Sequence, residues 1–288
     1  MIRVEHHSGY RYEREVVSSF NEARMTPLTT DRQVTVDSRL EVEPRVRAFR
    51  YVDYWGSVVD AFDVQAPHTD LSVTARSVVE TTPAPVAPAD LGWDELCSDP
   101  VGERFAEFLN PTTYVPRDAE LATIAASLAA GKTPAAALEE AAGFVGSHLS
   151  YTPGATGVST SAVEAFEAGH GVCQDYAHLT LALLRTMGVP GRYVSGYLHP
   201  HEDATKGEVV SGESHAWVEA WLGDWWGYDP TNGVPAGERH VIVGRGRDYA
   251  DVPPLRGIYS HRAAGNGDLH TTAAAGEVDV EVRISRLA

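Results

Sequence analysis

Three residues in the second half of the chain have the types that nucleophilic acyl transfer requires: Cys173, His215 and Asp229. A thiolate attacks a carbonyl, an imidazole carries the proton, and a carboxylate keeps the imidazole in place. Cys173 lies in Gly169-His170-Gly171-Val172-Cys173-Gln174-Asp175-Tyr176, where a glycine-bearing loop becomes a helix. The unpaired N–H groups and positive end of a helix favour thiolate over thiol and offer a donor to an oxyanion beside the sulfur. His215 opens His215-Ala216-Trp217-Val218-Glu219-Ala220-Trp221-Leu222, a strand whose alternation sets His215, Trp217, Glu219 and Trp221 on one face. Solvation is the usual fate of a lone histidine, so its value rests on its partners. Asp229, in Trp225-Trp226-Gly227-Tyr228-Asp229-Pro230-Thr231-Asn232, is the natural orienter, although Asp-Pro by itself is a common turn opening.

These side chains need one helix and a pair of strands to bring them together. The helix is expected from about Val172 to Met187, with Leu179, Leu183 and Met187 repeating on one buried face and Gly188 and Pro190 ending it. Strands are expected at 192–198, 215–222, 225–229 and, from the alternation of Val278, Val280, Val282 and Ile284, at 277–286. The hairpin register poses a problem. A two-residue turn at Gly223-Asp224 pairs Leu222 with Trp225 and sends His215 and Asp229 to opposite faces. A register shift is therefore required, and a bulge at Gly227 is the expected device.

Upstream, residues 1–82 alternate short Val-, Tyr- and Thr-rich runs with turn residues, which reads as antiparallel β, a sandwich or small barrel. Thr82-Pro83-Ala84-Pro85-Val86-Ala87-Pro88 interrupts both ladder and helix bonding. The expected division is thus 1–84, an N-terminal β domain, and 85–288, a catalytic core with a helical lead-in whose alanine-rich helices span 119–130 and 133–148. The fold class is α+β, with helices packed on an antiparallel sheet behind the β domain.

The formal charge of −17 repels phosphate backbones and anionic lipid, so neither nucleic acid nor membrane is an expected partner. Two cysteines, Cys97 and Cys173, are too few for a disulfide framework, and free thiols are the simpler assumption. The first residues lack the apolar core of a secretory signal, which makes the cytoplasm the default address. Composition does not fix an oligomeric state.

Four blocks together resemble the bacterial transglutaminase-like family: Gly171-Val172-Cys173-Gln174-Asp175-Tyr176-Ala177-His178, Gly191-Arg192-Tyr193-Val194-Ser195-Gly196-Tyr197, His215-Ala216-Trp217-Val218-Glu219 and Asp229-Pro230-Thr231-Asn232. They occupy about residues 145–233, and the first 80 or so, with Asp53-Tyr54-Trp55-Gly56 and Ala66-Pro67-His68, resemble the β-rich region that precedes this core in bacteria. The resemblance implies a papain-like core in which Cys173 is the nucleophile, His215 the general base and acid, and Asp229 its partner. It implies a thioester resolved either by water, as in a cysteine protease or amide hydrolase, or by an amine, as in a transglutaminase. Hydrolysis of a protein, peptide or small amide is the leading expectation; a catalytically silent peptide-binding module is the rival from another class.

Tyr151, Gln174 and Trp217 are candidates for the cleft or oxyanion site, each with an ordinary packing role as the alternative. The four tryptophans 217, 221, 225 and 226 are expected to divide between groove wall and cross-strand packing. His178, about 140° around the helix from Cys173, should not face the thiol. His199, His201, Glu202 and Asp203 form a ligand-rich loop that reads as solvated, and no cofactor or metal is inferred.

Overall fold

Alternating apolar and polar residues in the first 81 positions produce five strands: β1 (Ile2–Ala23), β2 (Gln33–Glu43), β3 (Phe49–Val52), β4 (Val58–Val64) and β5 (His68–Thr81). The computed structural model describes residues 1–88, 91–201, 203, 205–262, 269–273 and 277–287. β1 is long enough to serve two sets of neighbours. Its first half pairs with β5 and its second half with β4, the register with β5 shifting between Arg11 and Val16. The strands enclose a core that includes Tyr12, Val16, Phe62, Leu71 and Val73.

After the proline-rich segment, three short helices, α1 (Trp93–Leu96), α2 (Asp99–Arg104) and α3 (Ala106–Leu109), lead to α4 (Ala119–Ala129) and α5 (Pro134–His148). Both longer helices start at side-chain caps. Asp118 accepts from the Glu120 and Leu121 N–H groups, and Thr133 accepts from Ala136 with Pro134 just inside the helix. The tiny strands β6 (Ser150–Tyr151) and β7 (His170–Gly171) pair in parallel and flank α6 (Ala162–Ala168), whose Ser161 and Glu164 form a reciprocal capping box. Directly after β7 comes α7 (Cys173–Thr186).

α7 is the centre of the second half. The spacing of its leucines predicts one buried face, yet every residue from Asp175 to Arg185 is buried. The reason is that α4, α5 and α6 pack around the helix while strand β9 supports it, so no side is left for solvent.

The sheet beneath consists of β8 (Gly191–Leu198), β9 (Val209–Trp221), β10 (Trp225–Asp229), β11 (Val234–Pro235) and β12 (His240–Gly246), all antiparallel in the order β12-β8-β9-β10-β11. The remaining strands, β13 (Leu255–Arg262), β14 (Leu269–Ala273) and β15 (Glu277–Arg286), return to the first one: β13 and β15 both pair with β1. β15 also pairs with β9, so strands from both halves belong to a single 13-stranded sheet. The architecture is α+β with helices on an antiparallel sheet, as the sequence implies. Among the described residues, no helix is long and apolar enough to cross a membrane.

Candidate active site

Cys173 is the first residue of α7 and is partly exposed. The turn before it is fixed by Asp175, whose Oδ2 accepts the Val172 N–H at 2.8 Å and the Thr156 hydroxyl at 2.7 Å. The first-turn N–H groups of a helix have no carbonyl of their own to bond, so the Cys173 amide is free to face an oxyanion.

The β9–β10 hairpin then sets the other two residues. Its ladder pairs Trp221 with Trp225, Ala220 with Trp226, Glu219 with Gly227 and Val218 with Tyr228, without interruption. The connection is therefore a three-residue loop, Leu222-Gly223-Asp224, closed by the Leu222 N–H on the Asp224 carbonyl at 2.9 Å. Gly223, at φ 97°, supplies the left-handed conformation this loop needs. An odd loop length preserves parity: extending the register by one residue puts Asp229 opposite Trp217, on the His215 face. The expected bulge at Gly227 is thus overturned, since the loop itself provides the shift.

The ladder between β9 and β10 ends at Val218–Tyr228, and His215 and Asp229 lie just beyond it, where the strands part. His215 Nε2–H donates to Asp229 Oδ2 at 2.7 Å. That bond leaves Nδ1 as the ring nitrogen for Cys173, whose side chain also hydrogen-bonds His215. Burial pushes the imidazole towards neutrality, but the hydrogen bonds and charges of Asp229 and Cys173 outweigh it and raise His215 to about 10. For Asp229, burial disfavours the charge, while its histidine partners reverse this and hold the carboxyl well below the usual carboxylate range. The site is built to hold a proton on the imidazole between the Asp229 carboxylate and the Cys173 sulfur.

Asp229 is fully buried and densely solvated by the protein. Oδ2 accepts from His215, from Asn232 Nδ2 at 2.7 Å and from His240 Nε2 at 3.2 Å; Oδ1 accepts the backbone N–H groups of Thr231 and Asn232. His240 Nδ1 in turn accepts the Gly237 N–H at 3.1 Å, which fixes its proton on Nε2. Sequence reasoning missed His240. The alternating His240-Val241-Ile242-Val243 run marks a strand, but nothing local ties it to Asp229. His215, Asp229 and His240 also present three metal-type ligand atoms within 4.8 Å of one another, although both Nε2 protons are already committed to the carboxylate.

Of the cleft candidates, Tyr151 is 44% exposed and its hydroxyl donates to Glu213 Oε2 at 3.4 Å. Partial burial and the nearby Cys173 and Glu213 push its pKa up from the ordinary tyrosine value, so it is a neutral donor. The Gln174 amide is turned to the Val158 carbonyl, which removes it from the oxyanion position. Trp217 is completely buried and so forms no open cleft wall; it stacks under His215 with ring centroids 6.1 Å apart and meets His240 edge-on at 5.1 Å. Room for that indole comes from Gly196, which pairs with His215 and where a Cβ would lie 2.6 Å from Trp217 Cη2. Trp221 and Trp225 pack against each other and Phe105, and Trp226 is buried in the core. His178 is buried among Tyr114 and Tyr193, and accepts the Tyr249 N–H. His199 is buried with Nδ1 on the His201 carbonyl; Glu202 lies outside the described residues.

Residues 122–230, which contain Cys173, His215 and Asp229, match the family model described as the transglutaminase-like superfamily, and residues 2–80 match the bacterial transglutaminase-like N-terminal region. An uncharacterized protein of Mycobacterium leprae is 50% identical over 287 residues, spanning 100% of this chain and 99% of its own length. A protein-glutamine gamma-glutamyltransferase of Pseudomonas aeruginosa is 32% identical over 117 residues, 36% of this chain and 17% of that protein. Among solved structures, a proposed cysteine protease from Cytophaga hutchinsonii shares the fold with a TM-score of 0.70 at 22% identity, covering 98% of this chain and 90% of that one.

Proposed function

This chain belongs to the transglutaminase-like superfamily, and we propose that it is a thiol-dependent amide-bond enzyme that works through an acyl-thioester on Cys173. The observation that carries this reading is the His215 imidazole, tied through Nε2 to the buried Asp229 carboxylate at 2.7 Å and offering Nδ1 to the thiol. In the proposed first half-reaction, Cys173 Sγ, its proton taken up by His215 Nδ1, adds to the amide carbon and the carbonyl oxygen becomes an oxyanion beside the Cys173 N–H. The C–N bond breaks as His215 Nδ1 gives its proton to the departing amine. In the second, His215 takes a proton from the incoming water or amine while that nucleophile attacks the thioester and the thiolate leaves.

Hydrolysis is the favoured outcome. Cys173 is partly exposed and Tyr151 at its side is open to solvent, so bulk water reaches the thioester. Acyl transfer from glutamine to an amine is the second reading, favoured by the 117-residue likeness to the P. aeruginosa gamma-glutamyltransferase. Incubating the protein with a glutamine-containing peptide, with and without a primary amine, and identifying the products by mass decides between them. Backbone cleavage or deamidation that persists with the amine present supports hydrolysis; an amine conjugate replacing those products supports transfer; no product from wild type beyond that of Cys173→Ala refutes both.

A further inference from the structure

β12 is an edge strand: among the described residues β8 alone pairs with it. The backbone groups on its other side must find partners elsewhere, and those of Ile242 find them in the N-terminal region. The Ile242 carbonyl accepts from the Leu28 N–H at 2.9 Å and from Gln33 Nε2 at 2.8 Å, and the Ile242 N–H donates to Gln33 Oε1 at 2.7 Å. Gln33 Nε2 also donates to the Leu28 carbonyl at 2.7 Å, and the residue is buried. A side-chain amide carries donor and acceptor side by side, as a peptide unit does. Only one of its two orientations sets nitrogen against both carbonyls and oxygen against the N–H. Gln33 thus stands in for one peptide unit of a missing neighbour strand.

A second tie lies just upstream. The Thr81 hydroxyl donates to the Glu238 carbonyl at 2.6 Å, and Thr81 is the residue paired with Gln33 across β2 and β5. One cross-strand pair of the N-terminal sheet therefore grips the chain on both sides of His240, at Glu238 and at Ile242. The turn before it is backed by the same region, since a Cβ on Gly237 would lie 2.8 Å from the Ala84 nitrogen. Gly237 in turn holds the histidine twice: its carbonyl accepts the His240 N–H at 2.9 Å and its N–H donates to His240 Nδ1 at 3.1 Å. What this held segment presents is the His240 Nε2–H, directed at Asp229 Oδ2 at 3.2 Å, the oxygen that also takes the His215 proton. That distance is at the long end of the hydrogen-bond range, so a displacement of about 0.5 Å would break the bond.

We infer that Gln33 and Thr81 are positioning residues: the N-terminal β region is a clamp that keeps His240 within reach of Asp229, and the carboxylate so held presents Oδ2 to His215. The inference rests on the reading of Cys173, His215 and Asp229 given above. It assigns the N-terminal region a role in preparing the thiol, exerted through His240 and Asp229 without contact to substrate. Contacts that served the fold alone would act independently of His240. Contacts that act through His240 lose their effect once that side chain is gone.

The test is the rate of Cys173 alkylation by iodoacetamide near about pH 6, in the full chain carrying Cys97→Ser. Gln33→Met keeps the side-chain length and removes every bond of the amide, and should slow alkylation about tenfold, as His240→Phe does; Thr81→Val removes the second tie and should slow it about threefold. Thr82→Val is the matched control, because the Thr82 hydroxyl bonds the Arg32 carbonyl within the N-terminal region, and its rate should not change. Placed in a His240→Phe background, neither Gln33→Met nor Thr81→Val should slow the reaction further. A fast parent whose two variants stay within about twofold of it, or whose losses persist undiminished in the His240→Phe background, overturns the clamp and leaves the reading of Cys173 standing. A parent thiol no faster than a free cysteine removes the premise, and the two fall together. Should Gln33→Met fail to fold, Thr81→Val, at a half-buried position, decides by the same comparisons.

Discussion

Replacing Asp229 with asparagine tests the architecture of the site at its most constrained atom. The Oδ1 side of the new amide still accepts from Thr231 and Asn232, so the turn survives. Its NH2 group, however, now faces three donors, from His215, His240 and Asn232, where Oδ2 stood. His215 escapes the donor-to-donor conflict by giving up its Nε2 proton and carrying it on Nδ1, the nitrogen that must accept the thiol proton. The electrostatic part of the loss follows from the rise of His215 from 6.5 to about 10, to which Asp229 and Cys173 both contribute. At 1.36 kcal/mol per pKa unit that rise is worth about 5 kcal/mol, shared between the two partners, so removing the carboxylate charge costs roughly 2 kcal/mol, between one and two orders of magnitude in rate. The wrong tautomer adds to this, so a fall of about two orders of magnitude in thiol reactivity is expected.

Alkylation by iodoacetamide reads this directly, in a Cys97→Ser background that removes the exposed second thiol. In the parent, the rate should change little between about pH 6 and pH 8, because His215 remains protonated throughout. In Asp229→Asn the rate should be ~100-fold lower near pH 6 and climb with pH, as for an ordinary thiol of pKa about 8.5. A folded variant that alkylates within about threefold of the parent, with the same pH profile, refutes the argument that the carboxylate holds the imidazole in its working form.

Three other outcomes follow from the same geometry. His240→Phe removes one donor to Asp229 and strands the Gly237 N–H, so urea unfolding should show a loss of about 1–3 kcal/mol and Cys173 alkylation should slow roughly tenfold. Gly196→Ala would put a Cβ 2.1 Å from the Val241 carbonyl and 2.6 Å from Trp217 Cη2; overpacking of this kind costs about 1–3 kcal/mol or more, and an unchanged thermal midpoint would contradict it. Acid should weaken the fold through its buried neutral histidines, since burial lowers His178 to about 3 and His6 to about 4. Both are bases with depressed folded values, so their contribution is complete above about pH 6.5 and declines as the pH falls towards the folded values; near pH 5 each costs about 2 kcal/mol, measurable as a lower urea midpoint than near pH 7.5.

What was legible in the sequence is what local chemistry controls. Thr133-Pro134 and Gly188 with Pro190 mark helix ends because caps and breakers act within a few residues. Cys173 was readable as a reactive position for the same reason: it opens a helix. The hairpin was only half legible. Gly223 announced a turn, but whether two or three residues form the loop depends on which carbonyl Leu222 bonds, and that is decided by how Trp221, Trp225 and Phe105 pack. His240 was out of reach because its bond to Asp229 depends on how β12 lies beside β8, a long-range pairing. The burial of α7 on all sides was hidden likewise, since the helices that cover it have no signature in its own periodicity.

The position of β15 bears on how the molecule reaches activity. Residues 277–286 are hydrogen-bonded to β1 on one edge and to the start of β9, Val209 to Gly212, on the other, only a few residues before His215. His215 therefore sits on a strand whose lower edge is zipped by a segment made well after it. During synthesis α7 and its leucines can collapse early, but β9 cannot gain its final neighbour until residue 286 has emerged. Pairings this distant along the chain are slow to form. Thiol reactivity is thus expected to appear after bulk secondary structure during refolding, so that a half-made chain presents a buried helix and an unfinished pairing of Cys173 with His215.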